Sequence, residues 1–219
     1  MSFRDTFNAL FGAPPDIAWP SMPTLPAGTR MRRLQVDDHA RCVEIYRANE
    51  PGRFPPGFEP ELQSSLTRSD YLWVALCVED QLVAFGGITR MPFFRFDHAW
   101  LMFGMVEPAR HGQGLGSWLL LSRLCALPSP IKPVKVMMSN VASTQAFFER
   151  FGFVHQGRHT MGHHGIELDS SAAVLRQMVW RRGRELLQAQ GLSYGEPIVP
   201  LMDLSNPPGG KPLDAKGPL

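Results

Sequence analysis

The chain has 219 residues, of which 44% are hydrophobic and 19% charged, and its formal net charge is +2. This length and composition suit one soluble α/β domain with extensions, and no apolar run approaches the roughly 20 residues that a membrane-spanning helix needs. So small a net charge gives no indication of nucleic-acid binding, and the N-terminus lacks the apolar core of a secretory signal. We therefore expect a cytoplasmic protein with neither a membrane nor a nucleic acid as its partner.

The two ends of the chain are rich in proline. Residues 1–28 hold five prolines and residues 193–219 hold six. Prolines at this density exclude helix interiors and central strands, so we expect an arm at 1–28, a folded domain at 29–192 and a tail at 193–219. Apolar residues recur at helical spacing between Phe3 and Phe11, and a short helix there would pack on the domain or on a second copy in a homodimer.

Strands and helices are expected to alternate along the domain. Glu79–Gln81 joins two apolar runs as an antiparallel hairpin, and a hairpin followed by strand, helix, strand, helix and strand describes an α/β or α+β sheet with a crossover. Residues 51–57 are expected to form a loop, and 172–180 are either a last strand or the start of a helix. The expected strands are 29–35, 71–78, 82–88, 99–106, 134–139 and 153–159, and the expected helices are 36–47, 60–66, 118–126 and 143–151.

The three cysteines lie far apart, each in a mostly apolar stretch. They are Cys42, Cys77 and Cys125, and their number is odd. An odd number of widely spaced cysteines suits reduced thiols in a core better than a disulfide framework. We therefore expect buried free cysteines.

A glycine-rich turn follows the strand that ends at Val106. It reads His111-Gly112-Gln113-Gly114-Leu115-Gly116 and leads into a helix. Glycine lets several amide N–H groups converge, and its missing Cβ lets a bulky anion approach them. The positive end of the helix favours the same anion. The turn therefore suits a pyrophosphate, although glycines alone are equally consistent with a turn that binds nothing.

Two common phosphate-binding motifs do not fit this turn. A P-loop requires a lysine directly after its last glycine, whereas Gly116 is followed by Ser117. A dinucleotide fingerprint requires two residues between its second and third glycines, where this chain has only Leu115. It also requires an acid about 20 residues further on, where Lys132 and Pro133 stand.

Two stretches resemble motifs of the GNAT superfamily of N-acetyltransferases. Met105–Leu120 resembles the cofactor motif Gln/Arg-x-x-Gly-x-Gly/Ala, which follows a strand that ends in valine. Asn140–Phe153 looks like the family's asparagine-bearing turn, helix and closing Gly-Phe. The resemblance spans about 29–180, with motif support from 99 to 153. It implies a mixed, mostly antiparallel central sheet that is flanked by helices and has splayed central strands, and its element order favours a strand at 172–180 with a helix from about 181.

The resemblance also implies an activity. It is the direct transfer of acetyl from acetyl-CoA to a primary amine of a small molecule or peptide in a ternary complex, without a metal. The pyrophosphate would lie on backbone amides of the turn, the pantetheine arm would pair with the strand before it, and the thioester would lie between the splayed strands. The residues so implied are Phe103, Met105, Val106, His111, Gly112, Gln113, Gly114, Leu115, Gly116, Ser117, Ser139, Asn140 and Phe148.

The chain departs from the family at three positions. His111 replaces the usual glutamine or arginine, although histidine also donates hydrogen bonds. Phe148 stands where many members carry a tyrosine that protonates the departing thiolate. A thiol of pKa near 8.5 favours protonation at pH 7 by about 2 kcal/mol, so solvent can supply that proton. The family's asparagine position falls on Val141, one residue after Asn140. An acyl-CoA-binding module without turnover is therefore the alternative.

Deprotonating the amine is the harder proton transfer. An alkyl ammonium of pKa near 10.4 costs about 4 to 5 kcal/mol to deprotonate at pH 7, so a base would help. The candidates are Asp97 and His98 before the cofactor strand, Ser139 after the next strand, and Glu59 or Glu61, and a solvated surface group is the alternative for each acid. The histidines from His155 to His164 lack the spacing of metal ligands and are expected in an exposed hairpin.

Overall fold

The computed structural model describes residues 21–53, 57–89, 99–126, 134–138, 142–151, 153–158, 164–168 and 183–192. The strands in these ranges are β1 (Thr29–Arg33), β2 (Tyr71–Val78), β3 (Gln81–Thr89), β4 (Ala99–Val106), β5 (Val134–Met138), β6 (Phe153–Arg158) and β7 (His164–Leu168). The helices are α1 (His39–Arg53), α2 (Glu59–Leu66), α3 (Leu115–Cys125), α4 (Ala142–Glu149) and α5 (183–189), with short 3-10 turns at Val36–Asp38 and Pro108–Arg110.

One sheet of seven strands organises the described residues, in the order β1-β2-β3-β4-β5-β7-β6. Strands β1 to β4 are antiparallel neighbours, and β4 and β5 are parallel. The hairpin between β2 and β3 closes through Glu79 and Asp80, whose φ angles of 52° and 64° are those of the type I′ turn that matches strand twist. The predicted hairpin is confirmed.

Helices cover both faces of the sheet. Alternate side chains of β2 point to opposite faces, so Val74 lies in one core and Trp73 in the other. The first core includes apolar side chains of α3 and α4, and the second includes those of α1 and α2. A mixed, mostly antiparallel sheet between helices is the fold class that the sequence predicted.

The two central strands separate after a short paired stretch. Only Ala99–Leu101 of β4 pairs with β5, opposite Val134–Val136. Within the described strands, the rest of β4 has no pairing with β5, which pairs on its other side with β7. The predicted splaying is confirmed, and it leaves one edge of β4 open beyond Leu101.

Several element boundaries differ from the predicted ones. Helix α1 continues through Pro51 to Arg53, because the lost N–H of a proline in the last turn removes only one hydrogen bond. Helix α3 begins at Leu115, three residues early, because Gly114 adopts the left-handed conformation that turns the chain into the helix. Strand β7 at His164–Leu168 had no predicted bounds, and its antiparallel pairing with β6 agrees with the hairpin expected for the histidines from His155 to His164.

Other expectations lie partly outside the described residues. The strand expected at 172–180 and the expected helix start at 181 lie outside them, and the described part of α5 spans 183–189. All three cysteines are free and buried, as predicted. None of the helices in the described ranges is long and apolar enough to cross a membrane.

Candidate functional site

The glycine turn presents backbone amides at the start of α3. Its internal hydrogen bonds use the amides of Arg110, His111, Gln113 and Ser117. Within the described part of the chain, the amides of Gly112, Gly114, Leu115 and Gly116 have no backbone acceptor. The first amides of a helix have no partner inside the helix, and the helix dipole adds partial positive charge there. These four amides form the part of the turn that is free to bind an anion.

Gly114 is required by its conformation and by its neighbour. Its φ of 81° is in the left-handed region, and a Cβ there would overlap Pro23 Cγ and lie 2.6 Å from Pro23 Cβ. Trp118 holds the same segment, because its Nε1–H donates to the carbonyl oxygen of Pro23 over 2.7 Å. The described end of the N-terminal arm, residues 21–28, therefore packs against the turn, a contact that proline-rich sequence alone does not indicate.

Gly116 has no comparable packing constraint. A Cβ there would lie 3.7 Å from Val106 Cγ2 and 4.0 Å from Phe147 Cζ, which are ordinary contact distances. That Cβ would point between the end of β4 and helix α4. The half-buried Phe147 was not singled out from the sequence, although it adjoins the predicted motif position.

Two side chains fix the end of β4. The imidazole of His111 donates from Nε2 to the carbonyl oxygen of Val106 over 2.8 Å, because a carbonyl only accepts. Buried Asn49 donates to the same oxygen over 3.0 Å and to the carbonyl of Ile45 over 2.8 Å. His111 therefore ties the turn to the strand through Nε2. The residue after the strand, Glu107, pairs with Arg41.

Strand β4 contains a bulge in the part that pairs with β3 and not with β5. Phe85 pairs with Met105 and Gly87 with Met102, so two residues of β4, Phe103 and Gly104, oppose one residue of β3. Phe103 has a φ of 48°, a left-handed conformation that costs about 1–2 kcal/mol for a residue with a side chain. The extra residue reverses the alternation, so that Leu101 packs in the core beside α3 and Met105 in the core beside α1. The bulge lies just beyond the segment of β4 that pairs with β5.

Phe148 is a core residue. It is 8% exposed and contacts the rings of Phe147 and Phe153 edge-on, at centroid distances of 5.1 and 5.3 Å. Such aromatic contacts stabilise the packing of α4 on β6. The structure thus explains a phenylalanine at this position by packing alone.

The predicted bases are only partly within the described residues. Asp97, His98, Ser139 and Asn140 lie outside them. Glu59 accepts two hydrogen bonds from Arg47, of 2.8 and 2.6 Å, and these lower the pKa of its carboxyl group. A lowered pKa makes Glu59 a weaker base. Across the described ranges, no group of three or more histidine, cysteine, aspartate or glutamate residues could hold a metal ion.

The fold and the site define a class of protein. A helix start with free amides adjoins a strand whose outer edge is open, so an extended ligand with a phosphate group can contact both. The sequence model of the acetyltransferase (GNAT) family matches residues 39–153, more than half of the chain, and the chain belongs to that family. A search of curated proteins finds no match.

Solved structures of acetyltransferases share the fold. The PaiA N-acetyltransferase from Thermoplasma acidophilum, solved with coenzyme A, is 14% identical at a TM-score of 0.54, over 64% of this chain and 97% of that one. A mutant of the SpeG spermidine N-acetyltransferase from Vibrio cholerae is 12% identical at a TM-score of 0.54, and the match covers 69% of this chain and 99% of that one. An acetyltransferase from Streptococcus agalactiae is 14% identical at a TM-score of 0.54, and the match covers 65% of this chain and 98% of that one. At these identities the likeness shows the fold.

Proposed function

We propose that this protein transfers acetyl from acetyl-CoA to a primary amine, directly and within a ternary complex. The observation that carries the proposal is the continuity between the open edge of β4 beyond Leu101 and the free amides at the start of α3. One extended molecule with a pyrophosphate at one end would contact both. Coenzyme A has this shape, and a neighbour of the same fold was solved with it.

The cofactor would bind in three parts. The pyrophosphate would accept hydrogen bonds from the amides of Gly112, Gly114, Leu115 and Gly116, while Gln113 and Ser117 support the turn from within. The amide groups of pantetheine would pair with the backbone of 103–106 as a neighbouring strand would. The thioester would then lie in the gap beside the bulge.

The chemistry is attack of the neutral amine on the thioester carbonyl. The new C–N bond forms, the C–S bond breaks, the amine loses its proton and the thiolate takes one. Because Phe148 has no proton to donate, water protonates the thiolate. Removal of the amine proton would fall to Asp97, His98, Ser139, Glu61 or a water relay, since Arg47 holds Glu59 in an ion pair.

The acceptor is proposed as a primary amine. One neighbour is named as a spermidine N-acetyltransferase, and a small amine or the end of a peptide fits the same reaction. We propose a cytoplasmic location, where acetyl-CoA and reduced cysteines coexist, and a domain at 29–192 with an arm at 1–28 and a tail at 193–219.

A binding module without turnover is the second candidate. The absence of an acid at Phe148, whose ring packs against Phe147 and Phe153, is what allows it. The two functions differ in what they release. A transferase liberates free thiol from acetyl-CoA when an amine is present, whereas a module binds acetyl-CoA and liberates none.

The test combines binding with turnover. A thermal-shift measurement with acetyl-CoA comes first, followed by thiol release over amino acids, polyamines, amino sugars and peptides. A saturable thermal shift together with amine-dependent thiol release supports the transferase. A thermal shift with no release over the whole panel supports the module, and no shift with acetyl-CoA contradicts both.

A further inference from the structure

The side chain of Arg123 lies inside the fold, next to the bulge of β4. Arg123 belongs to α3 and is 3% exposed. Its neighbours along the helix, Leu124 and Leu121 among them, are buried and apolar. A leucine or methionine would occupy this interior without the desolvation of a charge. The reason for an arginine here therefore lies in what its planar guanidinium contacts.

The guanidinium lies against the backbone of two strands, where each has a glycine. A Cβ on Gly86 of β3 would lie 3.0 Å from Cδ, Nε and Cζ of Arg123. A Cβ on Gly104 of β4 would lie 2.5 Å from its Nη2 and 3.1 Å from its Cζ. A Cβ at Gly104 would collide with the guanidinium, and a Cβ at Gly86 would require the guanidinium to shift by a few tenths of an ångström. The two glycines and the arginine thus form one packing unit, called here the bulge support.

The bulge support contacts β4 where that strand leaves β5. Arg123 Nη1 donates to the carbonyl oxygen of Met102 over 3.4 Å, and Met102 directly follows Leu101, the last residue paired with β5. Gly86 is the single β3 residue that lies opposite the two bulge residues. Arg123 therefore contacts the strand before the left-handed residue Phe103 and after it, at Gly104.

We propose that Arg123 is a positioning residue, which holds β4 in the bulged conformation against which the acyl group of the cofactor lies. The inference rests on the proposed function, because only that function places the thioester beside the bulge. A planar group fits this role, since it contacts two backbones across a thin gap and still donates a hydrogen bond in its own plane. Arg123 acts through the backbone of β4.

The experiment compares affinities for CoA and acetyl-CoA, which differ only in the acyl group. Both ligands carry the pantetheine arm that would pair with 103–106, so any effect of Arg123→Met on that pairing should lower both affinities alike. We expect Arg123→Met to weaken acetyl-CoA binding about three- to tenfold more than CoA binding, the loss that follows when one contact to the acyl group is misplaced. Calorimetric titration measures both. A merely structural role would move both affinities together.

A matched control and a second variant keep the test decisive. Arg184 also donates to a backbone carbonyl over 3.4 Å, that of Cys125, so Arg184→Met should leave the ratio of the two affinities unchanged. Gly86→Ala retains every atom of Arg123 and displaces its guanidinium by a few tenths of an ångström. It should lower the affinity for acetyl-CoA relative to that for CoA about twofold. In the Arg123→Met background, Gly86→Ala should have no further effect.

The outcomes separate this inference from the function on which it rests. Wild-type protein that binds neither CoA nor acetyl-CoA overturns the proposed function and this inference with it. Wild-type protein that binds both, with an unchanged ratio in Arg123→Met, overturns the inference alone. If Arg123→Met does not fold, Gly86→Ala decides, and an unchanged ratio in that variant overturns the inference.

Discussion

Gly116 allows a test of the phosphate site that leaves the fold in place. A Cβ at this position meets nothing closer than 3.7 Å, and the residue occupies the second position of α3. Gly116→Ala should therefore fold with unchanged or slightly higher stability, because alanine gains up to about 1 kcal/mol over glycine in a helix. Gly116→Glu adds a carboxylate that points between Val106 and Phe147, along the proposed path of the cofactor.

The expected magnitude follows from Coulomb's law. A carboxylate about 5 Å from one phosphate charge costs about 3 kcal/mol at an effective dielectric constant near 20. Since about 1.4 kcal/mol is a factor of ten, the Kd for CoA should rise about 100-fold. Calorimetric titration measures the Kd, and thermal unfolding verifies that the variant is folded. A folded Gly116→Glu variant that binds CoA within threefold of wild type would refute the phosphate assignment.

Gly114→Ala is a poor substitute for that test, and the reason is structural. The left-handed φ of Gly114 costs about 1–2 kcal/mol for any residue with a Cβ, and that Cβ would also displace Pro23. We expect Gly114→Ala to lower the unfolding temperature whether or not a phosphate binds. Loss of CoA affinity in this variant would report on folding of the turn.

Three further predictions concern the described fold. Trp118→Phe removes the hydrogen-bond donor to the carbonyl oxygen of Pro23. It should lower stability by about 1 kcal/mol, or about 2–4 °C in unfolding temperature, and increase proteolysis near residue 23. An unchanged cleavage rate would contradict the contact. Arg32 lowers the pKa of Asp38 through bonds of 2.6 and 2.8 Å, so this pair stabilises the fold above pH 3.8 and the stability is lost as pH falls through the lowered pKa. Asp38→Asn should therefore cost about 1–3 kcal/mol near pH 7 and much less at the lowest pH at which the wild type still folds, and an equal cost at both would contradict this. Burial raises the pKa of Cys42 and of Cys125 to about 12. A thiol reagent at pH 8 should therefore label neither cysteine in the folded protein and both in denaturant. Rapid labelling of either one in the native protein would contradict its burial.

The regular part of the fold could be predicted because local physical chemistry decides it. The runs at Tyr71–Val78 and Gln81–Thr89 are so apolar that they must be buried in a core. The two acidic residues between them, Glu79 and Asp80, suit a tight turn. The turn at 111–116 was predicted from its glycines, and the prediction that it binds a pyrophosphate came from the resemblance to the GNAT motif. Helix α1 runs beyond its predicted end, and this added part contains Asn49, which bonds to Ile45 and to Val106 of a strand 57 residues away, a contact that the local sequence does not show.

The bulge and its support could not be predicted, because they depend on register. Gly86 and Gly104 are 18 residues apart in the sequence, and only the pairing of β3 with β4 brings both against Arg123. The available signals were a lone arginine in an apolar helix and a glycine inside each strand, which indicates a bulge or a close approach without naming the partner. The contact of Pro23 with Gly114 could not be predicted either, because the two residues are far apart in the sequence.

The central claim is that the cofactor binds along the open edge of β4 and on the start of α3. Amide hydrogen exchange, with and without saturating acetyl-CoA, tests it most directly. The account predicts protection on binding in 103–106 and in 112–117, with exchange in α2 unchanged. Binding that leaves both of these segments unprotected, or protects α2 in their place, would contradict the account.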